Sequence, residues 1–171
     1  MADIVNVQVQ ASKKTIPDAV QNFAGLGQIL FGVPQEKAFV KQIGPNGRLP
    51  DLTYNNAQIL QLMEWGSPVK NIPPRKVLRP VLAKYKMKIE GSFRDIMKDL
   101  KDHKVSKAEK GMQRLALRIQ GWGQKFFTDN DNGWAPNAPS TIRAKGSDRP
   151  LIDTGSLRKS ITAIWVRSTN G

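Results

Sequence analysis

Near the end of the chain, six residues have the spacing of a catalytic aspartate site. Residues 151–156 read Leu-Ile-Asp-Thr-Gly-Ser, and an aspartate in this setting can share a proton with a second aspartate, as in aspartic proteases. That chemistry also needs a flap and a second apolar-Gly motif downstream, whereas only fifteen residues follow Ser156. We therefore interpret Asp153 or Thr154 as the cap of a short helical turn that begins at Gly155 or Ser156. An aspartic protease remains a remote alternative.

The single histidine and a row of aspartates offer two further chemistries. His103 could act as a general base, but it lies in the polar sequence Lys-Asp-His-Lys, and we expect it on the surface. Asp95, Asp99 and Asp102 recur at three- and four-residue steps, which could place ligands for a metal ion on one helix face. Basic residues flank each aspartate, so we instead expect surface ion pairs, each worth about a few tenths of a kcal/mol.

Two patterns that could bind an ion or a phosphate are incomplete. Asp129, Asp131 and Gly133 begin like a calcium loop, but Ser140 stands where that loop needs a bidentate glutamate. Gly-Trp-Gly at 121–123 lacks the preceding strand and the Gly-Lys-Ser/Thr ending of a phosphate loop. The chain also has no cysteine, which excludes disulfides, cysteine-ligated zinc and thiol nucleophiles. We expect no catalytic residues, no cofactor and no metal, and hence a protein that is not an enzyme.

The distribution of charge is a stronger signal than any of these motifs. The 171 residues include 27 Lys and Arg against 14 Asp and Glu, a net charge of +13. Residues 70–120 hold ten of these excess positive charges, whereas residues 1–69 are neutral overall. The basic segment could contact the phosphates of a nucleic acid, dock on an acidic protein, or form a solvated helix face. The sequence leaves these three interpretations open.

Two amphipathic helices are predicted to carry this charge. Apolar residues at three- and four-residue steps predict one long helix at about 75–101, with Pro80 near its first turn and Gly91 as a point of kinking. Ser106 and Glu109 have the spacing of a capping box, which predicts the start of a second helix. The short polar joint between the two predicts an antiparallel pair or one bent helix.

Strands are predicted at both ends of the chain. Val5, Val7 and Val9 alternate with polar residues, which predicts a half-buried strand, and residues 161–167 are predicted to form a final strand. Central helices flanked by strands predict an α+β fold, a small mixed or antiparallel sheet packed on two amphipathic helices.

The segments between the first strand and the helices give weaker signals. Residues 15–32 predict a short helix or turn, because glycines and a proline interrupt their apolar run. Residues 36–56 predict short strands around a turn at 45–47. Residues 57–67 predict a strand or irregular extended segment, with a helix as the rival interpretation.

Glycines and prolines interrupt residues 128–150, which predict a long extended loop. We expect a single domain over residues 1–171, with this loop as an extension. No run reaches the roughly 18 apolar residues of a membrane span. The first ten residues lack the pattern of a secretion signal.

Two blocks of sequence, which together cover about residues 55–165, resemble proteins of tailed bacteriophages. The first resembles the core of neck and tail-completion proteins, and its residues are Asn55 to Ile59, Glu64 to Ser67, Ile72 to Arg75 and Leu78 to Pro80. The second is similar to the closing block of the phage virion morphogenesis family, and its residues are Trp134 to Pro136, Thr141, Lys145, Arg149 to Leu157, Ser160 and Ile161.

This resemblance implies a structural virion protein that forms a ring, which we expect to be a hexamer, at the head–tail neck or the top of the tail. The ring would surround the DNA channel and serve in head–tail joining or tail completion. Its expected partners are its own copies, a head connector, adaptor or head-closure protein, the tail terminator or tail tube, and double-stranded DNA in the channel, but no membrane. It would assemble in the host cytoplasm and remain in the virion.

Charge and the two blocks together select the residues that we expect at an interface or facing DNA. These are Arg75, Arg79, Lys84, Lys88, Lys98, Lys101, Lys104, Lys107, Lys110, Arg114, Arg118, Trp134 and Arg149. Arg75 is predicted at a helix start, where its charge opposes the helix dipole, so it should face a carboxylate. The alternative function is non-specific nucleic-acid binding through the basic helices at 75–120.

Overall fold

The computed structural model describes residues 5–6, 26–38 and 55–168. In these ranges the elements are β1 (Val5–Asn6), β2 (Gln28–Gly32), α1 (Gln35–Ala38), α2 (Asn56–Trp65), α3 (Leu78–Lys84), α4 (Lys86–Lys101), α5 (Val105–Phe126), α6 (Pro139–Lys145), α7 (Ser156–Ser160) and β3 (Thr162–Val166). The fold class is α+β, as the sequence predicts.

The sheet is antiparallel, with the strand order β1-β2-β3. Phe31 of the central strand pairs with Val5 on one side and with Ala163 on the other. The predicted strands at Val5 and near the end of the chain are therefore confirmed. Val7 and Val9 lie outside the described residues.

Two predictions for the early part of the chain are wrong where the structure describes it. Residues 28–32, predicted as helix or turn, form the central strand, because pairing on both sides overrides the local glycine signal. Residues 35–38 form a helical turn instead of a strand, and its Lys37 donates a hydrogen bond from Nζ to Thr162 Oγ1 (3.0 Å). The turn predicted at 45–47 lies outside the described residues.

Residues 56–65 form helix α2, so the rival interpretation of this segment is the correct one. Asn55 and Gln58 cap its start reciprocally, each side chain accepting a hydrogen bond from the other residue's backbone N–H at 2.9 Å. The buried Asn56 donates from Nδ2 to the Lys37 carbonyl (3.3 Å) and to Ser156 Oγ (3.1 Å). These bonds tie α2 to α1 and α7.

The helix predicted at 75–101 is two helices, and the break is not at Gly91. Helix α3 begins at Leu78, three residues later than predicted. Pro80 lies in its first turn, as predicted. Tyr85 then departs from helical geometry (φ −104°, ψ 12°) and separates α3 from α4. Its ring stacks on Trp122 of α5 with centroids 4.4 Å apart, so the break places an aromatic side chain against the neighbouring helix.

Helix α5 begins at Val105, and Ser106 does not cap it. The preceding chain instead turns at His103, which has a φ of 56°, and Lys104 N–H donates to the Asp99 carbonyl (2.8 Å). The expectation that His103 lies on the surface is confirmed.

This turn makes α4 and α5 an antiparallel hairpin, one of the two predicted arrangements. Contacts along it join Tyr85 to Trp122, Ser92 to Arg118, Ile96 to Gly111, and Asp99 to Lys107.

Helix α5 packs against both α4 and the sheet and lies at the centre of the buried core. Met112, Leu115 and Ile119 on its inner face are fully buried. At Gly123 the sheet side approaches so closely that an added Cβ would lie 2.7 Å from Cζ of Phe31 and 3.0 Å from Cγ2 of Ile161. The missing side chain lets β2 and the start of β3 reach the helix.

The predicted long extended loop at 128–150 is not confirmed, because helix α6 lies within it. Pro139 is at the start of this helix, where a missing N–H costs nothing. Gly146 ends it in the left-handed conformation, with a φ of 68°. Across the described ranges, no helix has the length and apolar character that a membrane crossing requires.

Two glycines of α5 provide a test of this packing. Gly121→Ala should raise the free energy of unfolding by about 0.5–1 kcal/mol, because alanine favours helix and an added Cβ meets nothing within 4 Å. Gly123→Ala should lower it by about 1–3 kcal/mol, because the new methyl group overpacks against Phe31. Urea denaturation measures both; equal changes would contradict the close approach of β2 to α5.

Candidate interaction surfaces

Residues 63–78 and 134–136 bind each other through hydrogen bonds from side chains to main-chain carbonyls, and we call this arrangement the clasp. Arg75 donates from Nε to the Ala135 carbonyl and from Nη2 to the Pro136 carbonyl, both at 2.9 Å. Trp134 donates in return from Nε1 to the Lys76 carbonyl (2.8 Å). The clasp therefore joins the two sequence blocks that carry the phage resemblance.

The clasp corrects the prediction for Arg75. This residue precedes α3 instead of starting a helix, and its partners are carbonyl oxygens of the same chain, not a carboxylate. It is buried, and this burial lowers the pKa of Arg75. A guanidinium suits the position, because its planar set of donors can satisfy two acceptors at once.

Glu64 supplies the cap that helix α3 lacks. Val77, the residue before the helix, makes no side-chain capping bond. Glu64 Oε1 instead accepts hydrogen bonds from the N–H groups of Val77 (2.6 Å) and Leu78 (2.7 Å). A carboxylate at a helix N-terminus also interacts favourably with the helix dipole. Sequence reasoning missed this role, although Glu64 belongs to the first resemblance block.

Between Glu64 and Arg75 the chain forms an exposed turn, residues 67–72, closed by paired hydrogen bonds between Ser67 and Ile72. Gly66 enters this turn with a φ of 72°, and an added Cβ would lie 2.8 Å from the Ile72 carbonyl oxygen. Val69 at the tip is 97% exposed, and nearby Trp65 is 65% exposed. This turn and Trp65 place two large apolar side chains in solvent beside the clasp.

Trp134, an interface candidate, is held within the chain. Its ring makes edge-on contacts with Phe126 and Phe127, with centroids 5.6 Å away in both cases. Arg149, the candidate farthest along the chain, is exposed, and its carbonyl accepts a hydrogen bond from Lys145 Nζ (2.7 Å). Burial is the main cause that lowers the pKa of Lys145.

The Asp-Thr-Gly-Ser motif leads into helix α7, which confirms the helical interpretation of this segment. Gly155, not Asp153 or Thr154, occupies the capping position, while Thr154 Oγ1 accepts a hydrogen bond from Ser156 N–H (3.3 Å). Asp153 is exposed. Ser156 Oγ is occupied by the bond from Asn56.

Ion pairs hold three of the predicted basic candidates. Lys84 contacts Asp129 (2.9 Å), Lys104 contacts Asp102 (3.0 Å), and Lys107 contacts Asp99 (2.7 Å). The hydrogen bond to Asp129 is the main cause that raises the pKa of Lys84, and the bond from Lys104 lowers the pKa of Asp102. Surface ion pairs were thus predicted correctly for Asp99 and Asp102, but their partners lie beyond the end of α4.

Two further basic candidates lie over aromatic rings. The Arg79 guanidinium is 6.0 Å from the centre of the Trp65 ring, and Lys88 Nζ is 5.5 Å from that of Tyr85. Both distances suit a cation–π contact.

The remaining basic candidates do not share one face of the hairpin. The pair between Asp99 and Lys107 marks the side of α4 that meets α5. Residues along a helix are rotated by about 100° per step, so Lys98 and Lys101 point away from that side. The basic residues of α5 lie apart from them on its exposed face, and we call this set the α5 stripe: Lys107, Lys110, Arg114, Arg118 and Lys125.

The outer edge of β3 is partly covered by two glutamines of α5. Gln124 donates from Nε2 to the Ile161 carbonyl (3.0 Å), and Gln120 Oε1 accepts a hydrogen bond from Ala163 N–H (3.3 Å). These side chains take the positions that a further strand would use. Edge pairing with a neighbouring subunit is therefore obstructed along this half of β3.

No family model, curated protein or solved structure matches the chain. Within the part of the chain that the structure describes, no group of three or more His, Cys, Asp or Glu residues is placed to hold a metal ion.

Removal of the Glu64 cap tests the energetics of the clasp. Glu64→Ala should lower the free energy of unfolding by about 1–3 kcal/mol, because two N–H groups lose their acceptor. Glu90→Ala is the matched control: this exposed glutamate lies 3.8 Å from Lys86, and its loss should cost about 0.5 kcal/mol or less. Chemical denaturation compares the two. Equal losses would argue against a capping role for Glu64.

Proposed function

We propose that this chain is a structural virion protein of a tailed phage, without enzymatic activity, which forms a ring at the head–tail neck or the top of the tail. The ring surrounds the DNA channel and contacts a head connector, adaptor or head-closure protein on one side. On the other side it contacts the tail terminator or tail tube. It assembles in the host cytoplasm as a ring of identical chains, with six as the expected number.

The clasp is the observation that most supports this proposal. The residues that resemble phage proteins lie in two blocks about 60 positions apart, yet Arg75 of the first binds the Trp-Ala-Pro segment of the second. Glu64, Gly66 and Trp134, also quoted in the resemblance, each have a defined role in the same unit. A fold shared with the phage proteins would explain why the residues of the resemblance contact and stabilise one another, whereas a chance match of sequence would not.

The exposed residues beside the clasp offer a surface for ring formation. A closed ring of one chain type needs two different patches that contact each other around the symmetry axis. Trp65 and Val69 are apolar, exposed and placed on the outside of the clasp, and large apolar side chains of this kind are typical of interface centres. Because Gln120 and Gln124 obstruct half of the β3 edge, we assign one ring contact to the 67–72 turn.

Deletion of the gene from a phage or prophage that encodes this chain tests the function. We expect lysates with filled or emptied heads and separate tails, or tails of abnormal length, because the junction lacks its ring. Electron microscopy of the particles gives the result, and complementation with the wild-type gene serves as the control. Normal joined virions from the deletion would overturn the proposal.

Substitution of the exposed apolar pair tests the ring contact. Trp65→Ser combined with Val69→Asp should leave a monomer near 19.0 kDa where the wild-type chain gives a larger closed assembly, because the apolar contact is lost. Light scattering after size exclusion measures the mass, with Met87→Ser as a control for another exposed apolar residue. Wild-type and doubly substituted chains of the same assembled mass would contradict the role assigned to the turn.

A further inference from the structure

We infer that the α5 stripe binds the phosphate backbone of double-stranded DNA. This goes beyond the proposed function, because a single chain presents the whole stripe and the contact does not depend on ring formation. Phosphate contacts of this kind position a protein on a duplex without reading its sequence.

The spacing of the stripe suits a polyanion. Its residues, from Lys107 to Lys125, follow one another at three- and four-residue steps once Gly121 is included, so they share one face of the helix. At a rise of about 1.5 Å per residue the stripe extends about 27 Å. A duplex presents one negative charge for about every 1.7 Å of its axis, so several phosphates lie within reach.

Most charges of the stripe are available for such a contact. All five side chains are exposed, and among the described ion pairs only Lys107 has a carboxylate partner. Arg118 contacts the Ser92 hydroxyl at 3.5 Å. The side chain of Asp99 is only 15% exposed, so Lys107 keeps this partner and the other four residues of the stripe are the ones open to phosphates.

Gly121 adds an observation that the packing does not explain. It lies within the stripe near the end of a long helix and is exposed. A Cβ atom added to it would meet no other atom within 4 Å. Glycine costs about 1 kcal/mol relative to alanine at such a position. Unlike Gly123, it gains no close contact with the core in return. A missing side chain here allows a ligand surface to approach the helix backbone.

The acidic neighbours of the stripe define the direction of approach. Asp99 of α4 and Asp102, which directly follows α4, are each paired with a lysine. Asp95 lies one turn from Asp99 and is exposed without a described ion pair. Asp95 therefore lies on the side of α4 that meets α5, and DNA would approach the exposed face of α5 directly, with Asp95 at the border of the contact.

The composition of the stripe favours DNA over an acidic protein as the partner. Protein interfaces have an apolar centre and few lysines, whereas three of the five stripe residues are lysines. Leu117 is the exposed apolar residue at its border, and scattered apolar side chains of this kind are normal on surfaces. An extended row of cations without an apolar centre is suited to phosphates.

Fluorescence anisotropy with a labelled duplex of about 20 base pairs, at about 50 to 200 mM salt, tests the inference on the full chain. For the wild type, log K should fall against log salt with a slope of about −3 to −5. The double substitution Arg114→Gln and Arg118→Gln should make that slope shallower by about 2 and weaken binding tenfold or more at about 100 mM salt. Circular dichroism verifies that this variant remains folded.

The matched control removes the same charge from the other side of the hairpin. Lys98→Gln combined with Lys101→Gln should reduce affinity by less than about threefold, because these residues point away from the stripe. An equal loss of affinity in both variants would show that DNA responds to the overall positive charge and not to the stripe, and it would overturn the inference. The absence of wild-type binding at low salt would also overturn it. Displacement of the duplex by polyglutamate at equal charge concentration would identify an acidic protein as the partner instead.

Discussion

The hydrogen bonds of one guanidinium hold the segment before α3 against the segment that follows α5. Arg75 is buried and binds two consecutive carbonyl oxygens that follow Trp134. Without these acceptors a buried charge would have no compensation, and without the charge the Ala-Pro segment would leave two carbonyls unsatisfied. The entry into α3, the position of Trp134 and the exposed turn at 67–72 all depend on this contact.

Around the clasp, helix α5 connects the remaining elements. Its inner face fills the core, Gly123 lets the sheet pack closely, and Trp122 stacks on the tyrosine that separates α3 from α4. Its outer face is consequently left to solvent and carries the stripe. The same helix thus stabilises the fold through one face and exposes a row of positive charge on another.

The parts of this fold that follow from local periodicity could be predicted from sequence. The apolar faces of α4 and α5 and the final strand repeat at the period of their secondary structure, so burial is visible in the sequence. The start of helix α2 also has a local signal, the reciprocal cap of Asn55 and Gln58, which favours a helix over the strand predicted for residues 57–67. The partners of Glu64 and Arg75 were inaccessible to such reasoning, because they lie 13 and 60 residues away and depend on tertiary packing.

The glutamines of α5 that cover the edge of β3 have a consequence for contacts between copies of this chain. At high protein concentration an open strand edge can pair with the edges of other copies, which promotes stacking into fibres. Gln120 and Gln124 form hydrogen bonds that a neighbouring strand would otherwise form with this edge. Part of the β3 edge is therefore closed to pairing. Contacts between copies along this half of the edge then depend on side-chain surfaces instead of on backbone pairing.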